Sequence, residues 1–185
     1  MSALHPAHFA ISEVLVAGAA AVAIAWAAAA RPREAWLAAA GFAPFGAAGL
    51  IGAIRIAGGF DGAIVDVHQA LSRLGALAGL VCLVGLLARL SQLWTLLSAG
   101  VATGIAALIP AVSMPLFMLC LLVGSVLGYR TIKGRPLAAA ASVALLAGAQ
   151  LVSVLLRSEN PALAWHLFHL LVAAWLLLVA RTVAE

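Results

Sequence analysis

Apolar runs of about twenty residues, the length that spans a bilayer as a helix, follow one another along this chain, separated by short breaks rich in charge, proline or glycine. The breaks are RPRE (31–34), GGFDGAIVD (58–66), ARLSQ (88–92), PAVSMP (110–115), YRTIKGRP (129–136) and RSENPA (157–162). They divide the chain into seven runs, predicting helices over roughly 11–30, 35–57, 66–88, 93–110, 114–129, 137–156 and 162–180. Hydrocarbon offers an open strand no hydrogen bonds, whereas a helix pairs its own backbone groups. The expected fold is therefore all-α, a polytopic integral membrane bundle of seven transmembrane helices. The fourth and fifth runs are short and joined by a tight turn, so a re-entrant hairpin is the alternative there.

Composition removes the soluble classes. The 185 residues are 66% apolar and 9% charged, against about 45–50% and 25% in a soluble domain. Residues 1–185 read as a single transmembrane domain with no stretch left for a soluble one. The start, MSALHPAHFAISEVLVAG, lacks the Lys/Arg region of a secretory signal and carries Glu13 in its apolar onset, so it reads as a mature first helix. Ala and Gly runs such as WLAAAGFAPFGAAGLIGA let helices approach closely and imply packing. Cys82 and Cys120 each lie alone in an apolar run and read as small buried side chains.

The formal charge of +4 comes from loop cations, which on a membrane protein report orientation and contact with lipid rather than with nucleic acid. In a seven-span chain Arg31, Arg33, Arg89, Arg130, Lys133, Arg135 and Arg181 fall on one side, and Arg157 with Asp61, Asp66 and Glu159 on the other. The positive-inside rule then puts the N-terminus outside and the C-terminus in the cytoplasm of a multi-pass inner-membrane protein. Trp94 and Trp165 fit one interfacial belt, Trp26 and Trp175 the other. The expected partners are membrane lipid and other subunits, either copies of this chain or members of a membrane complex.

That topology gathers the polar residues in the outer third: Glu13, Arg55, Asp66, His68, Gln69, Arg73, Gln150, Ser153, Arg157, His166 and His169. An ionisable group inside the membrane costs roughly 2.5–3.5 kcal/mol on insertion scales, so such groups face a partner or a water-filled cavity. Each also has a plain structural role. Arg55 would snorkel or pair with Asp66 or Glu13; Asp66 would cap the third helix; Arg73 would join an internal salt bridge; a lone histidine would be a hydrogen-bonded packing residue. His166 and His169 lie three residues apart on one helical face, so both can converge on one metal, with His68 or Asp66 supplying a further ligand. His5 and His8 precede the first span on the same side.

The order of these features resembles the seven-helix superfamily of alkaline ceramidases and adiponectin/progestin receptors with their bacterial relatives. The likeness is carried by Glu13 in ISEVLVAGAAAV, Asp66 in DVHQALSRL and His169 in AWHLFHLLVAAWLLL. Ile51 and Arg55 stand where that family has a Ser and a His, and Trp165 where it has the first of two C-terminal histidines. The resemblance implies a membrane-embedded, zinc-dependent amidase or hydrolase. Three function classes follow. In the first, a metal-dependent lipid hydrolase, His68, His166 and His169 hold Zn²⁺, Asp66 acts as base, and Arg55 or Arg73 holds an oxyanion or lipid phosphate. The second is an electron carrier with haem b held by His68 and His166 or His169. The third is a non-catalytic transporter, receptor or complex subunit, in which the polar layer fixes helix register.

Overall fold

The computed structural model describes residues 7–131 and 136–184; His5, Lys133, Arg135 and the side chain of Arg130 lie outside the described residues. The described residues form seven α-helices and no strand: α1 (Phe9–Ala30), α2 (Ala35–Gly58), α3 (Ala63–Leu87), α4 (Gln92–Leu108), α5 (Ser113–Thr131), α6 (Pro136–Leu156) and α7 (Pro161–Ala184). Helical segments Phe9–Ala30, Pro32–Gly58, Ala63–Leu87, Pro110–Leu127 and Pro161–Ala184 are long and apolar enough to cross a membrane, whereas Gln92–Leu108 and Ala140–Leu156 are shorter apolar helices. The chain is thus an all-α bundle of membrane-embedded character.

Local chemistry sets the helix ends. Gly59 takes the left-handed conformation (φ 63°) that closes α2, its N–H donating to the carbonyls of Arg55 and Ile56. Ser91 accepts from the Trp94 N–H at the start of α4, and Asn160 Oδ1 accepts from the Leu163 N–H at 3.0 Å to start α7 beside Pro161. Asp66 is not a cap, because the cap position of α3 is Gly62. The acid lies in the first turn, where the helix dipole still favours it.

α1 and α2, α2 and α3, and α6 and α7 run antiparallel, the first two pairs held close by small residues. Added Cβ atoms on Gly46, Gly49 and Gly52 of α2 would meet Ala20, Ala17 and Glu13 of α1 in descending order. Similarly, a Cβ on Gly79 of α3 would sit 2.5 Å from the Gly41 carbonyl of α2. The last helix returns to the first, so α7 packs on both α1 and α6. Phe42, Leu77, Leu83, Trp175 and Leu176 fill the core between them.

Two tryptophans depart from the expected belts. Trp175 is buried in the core and donates its indole N–H to Ser142 Oγ at 3.0 Å, a partner that the apolar pattern did not reveal. Trp94 is exposed one turn into α4, beside Arg89 and so at the end opposite Trp165. At that end Arg31, Arg33 and Arg89 surround one recess of about 580 Å³.

Candidate functional site

The first turns of α1 and α7 meet as parallel neighbours, and three successive contacts fix their register. Phe9 stacks on Trp165 with ring centroids 5.4 Å apart, and the Trp165 indole N–H donates to the Phe9 carbonyl. Ser12 Oγ is hydrogen-bonded to His166 Nδ1. Glu13 meets His169.

Glu13 is the only acid buried among the described residues, with 2% of its surface exposed. Its Oε1 lies 3.3 Å from Nε2 of His169 on α7 and 3.4 Å from Nε2 of His68 on α3. Neither contact is an aligned hydrogen bond, and Oε1 is left buried without one. Nδ1 of His169 is 2.7 Å from the Trp165 carbonyl, which can only accept, so that nitrogen carries a proton. A neutral ring would then turn its Nε2 lone pair towards the carboxylate. One further proton, on the ring or on the carboxyl, makes the contact attractive.

The centre borders a cavity of about 790 Å³ reached by α1, α2, α3, α5, α6 and α7. Glu13, His68 and His169 line it on one side, with Arg73, Gln150 and Arg157 among its other polar groups. Phe45, Phe117, Leu146 and Val172 supply apolar wall. Within α3 the turn Leu71–Gly75 is a π-helix, a wider turn common at functional sites, and it carries Arg73.

The structure redistributes the residues singled out in the sequence. His68 and His169 come together, on Glu13. His166 does not join them; it is held by Ser12 and lies 5.3 Å, centroid to centroid, from the exposed His8 ring. Residues three apart on a helix diverge by about 60°, enough here to give the two histidines different partners on α1. Asp66 lines the same cavity as His68 but is exposed. Arg55 is half-buried, is not part of the cavity lining, and has a buried Nε without a partner. Among the described residues Arg55 forms no ion pair with Asp66 or Glu13, and Arg73 forms none either.

Sequence reasoning noticed Glu13 but not its central place, and it passed over Ser12 and Gly52. A Cβ at Gly52 would lie 2.6 Å from the Glu13 carboxyl and 2.8 Å from His68 Nε2, so the absence of a side chain there makes room for both. The usable signal was the spacing of Gly46, Gly49 and Gly52 on a helix that must pack against the helix of Glu13.

The zinc set His68, His166 and His169 is not assembled, and no group of three or more His, Cys, Asp or Glu side chains among the described residues is arranged to hold a metal ion. His68 and His169 instead share one neighbour: both Nε2 atoms approach the same Glu13 oxygen. Compared with known protein families, with curated proteins and with solved structures, the chain matches none.

Proposed function

We propose that the protein is a hydrolase embedded in the inner membrane as a seven-span bundle, N-terminus outside, that acts on a lipid-like carbonyl substrate. The carrying observation is the Glu13 carboxylate bracketed by His68 and His169 at the edge of an amphiphile-sized cavity. The succession of apolar helices and the gathering of Arg31, Arg33 and Arg89 at a recess apart from Glu13 support the topology.

In this reading the Glu13 carboxylate, 3.4 Å from Nε2 of His68, favours the tautomer with its proton on that nitrogen by charge, while a proton between Glu13 and His169 offsets the rest of the carboxylate charge. Nδ1 of His68 has no hydrogen-bond partner among the described residues and serves as general base. It takes a proton from water as the water oxygen bonds to the carbonyl carbon. On collapse the bond from carbon to the leaving group breaks, and that group receives the proton from His68.

The test incubates purified protein with a bacterial lipid extract and follows the products by mass spectrometry. Expected is a cleaved lipid species that Glu13→Gln does not produce. If the native protein cleaves nothing, or Glu13→Gln cleaves equally, the centre is structural and the non-catalytic class replaces the hydrolase.

A further inference from the structure

The cavity beside Glu13 has an electrostatic feature that the hydrolytic centre does not use. Arg73, on the π-turn of α3, and Arg157, just beyond α6, both line it. Arg31 at the far end pairs with Glu34 at 3.3 Å. Arg73 and Arg157, in contrast, have no ion-pair partner among the described residues. The cavity has two acids, but Glu13 is occupied by its imidazoles and Asp66 is bonded to neither arginine. The cavity lining thus carries two guanidinium groups and one unengaged carboxylate.

An arginine some 15 Å along its helix from the membrane end, as ten residues at about 1.5 Å each place Arg73 from Ala63, is costly unless an anion or water meets it. Guanidinium groups bind phosphate oxygens with paired hydrogen bonds, which a planar fork favours over a point charge. Gln150 and Ser153 of the same cavity supply neutral hydrogen-bonding groups, and Phe45 and Phe117 an apolar surface for chains. The volume of about 790 Å³ falls within the roughly 300–1,000 Å³ of small-molecule sites. We infer that this cavity binds a net-anionic phospholipid, with Arg73 and Arg157 on its phosphate headgroup and the apolar wall along its chains. Cleavage of that lipid rests on the hydrolase reading above; its binding does not.

The experiment adds equal amounts of phosphatidylglycerol and phosphatidylcholine to the intact protein in detergent and reads retained lipid by native mass spectrometry. Two arginines near a lipid anion predict a preference of at least about tenfold for phosphatidylglycerol. Arg73→Gln with Arg157→Gln removes the preference, and Arg33→Gln, at the other end of the bundle, keeps it. Equal retention of the two lipids by the native chain overturns the inference whatever the variants do. So does an equal loss in Arg33→Gln, which would mean diffuse attraction of anionic lipid to the surface. If phosphatidylglycerol is retained by the native chain and by Glu13→Gln but never cleaved, the lipid site stands and the hydrolase reading falls.

Discussion

The carboxyl of Glu13 occupies the space that a side chain at Gly52 would need, since a Cβ there would lie 2.6 Å from its carboxyl carbon and from Oε1. What must yield to an alanine is therefore the end of the Glu13 side chain. At Gly49, three residues earlier on the same face of α2, an added Cβ would lie 2.6 Å from the backbone carbonyl of Glu13, and the helices themselves would have to separate. One glycine stripe thus does two tasks, close packing at Gly49 and shaping of the centre at Gly52.

Gly52→Ala should consequently lose turnover out of proportion to stability, with unfolding in detergent shifted by under about 1.5 kcal/mol while Glu13 leaves its place between the imidazoles. Gly49→Ala should show the reverse order and lose the larger share of the roughly 1–3 kcal/mol typical of overpacking. Thermal unfolding and lipid cleavage measured on both variants check the contrast. Equal behaviour would mean that Gly52, like Gly49, is only a packing residue.

A second pair separates the two C-terminal histidines. His169→Ala removes a side chain that touches Glu13 and should lower turnover by about a hundredfold or more. His166→Ala removes the bond to Ser12 outside the cavity lining. It should cost about 1 kcal/mol of stability and leave turnover within a few-fold. Steady-state rates on the folded variants decide; a collapse of activity in His166→Ala would restore the pairing of His166 with His169 that their spacing suggests.

The helices were legible because membrane helices announce themselves by length: the runs 11–30, 35–57 and 66–88 match Phe9–Ala30, Ala35–Gly58 and Ala63–Leu87 to within three residues at each end. The depth of the polar residues was legible too, because topology alone puts Glu13, His68 and His169 near one end. Their rotational setting was not. Whether His166 or His169 meets Glu13 depends on how α7 is turned about its axis, and that is settled by the Phe9–Trp165 stack and the Ser12–His166 bond, contacts between residues more than 150 positions apart. For the same reason Trp175 looked like an interfacial anchor, when its angular position points the ring into the core against Phe45.

That buried indole offers a test of the packing that leaves the centre alone. Ser142→Ala withdraws the acceptor of the Trp175 N–H. An unsatisfied buried donor costs about 1–3 kcal/mol, so the variant should unfold at lower temperature in detergent, whereas Ser142→Thr, which keeps a hydroxyl, should recover much of the loss. A midpoint unchanged in Ser142→Ala would show that the indole N–H finds another acceptor.

Metal removal probes the chemistry of the centre most directly. With Glu13 neutralised by protons shared with His68 and His169, turnover should survive prolonged treatment with strong chelators followed by desalting, and elemental analysis of the active protein should find no divalent ion at one per chain. The contrary outcome is just as informative. Activity lost to chelation and regained with zinc would mean that the orphaned Oε1 of Glu13 and the two imidazole nitrogens close around an ion when one is present, a carboxylate-and-two-histidine set that zinc accepts. The base would then be a metal-bound hydroxide rather than His68. His68→Gln separates the cases further. Under the proton-transfer reading it abolishes turnover by removing the base. Under the metal reading it lowers zinc occupancy as well, so that excess zinc restores part of the activity.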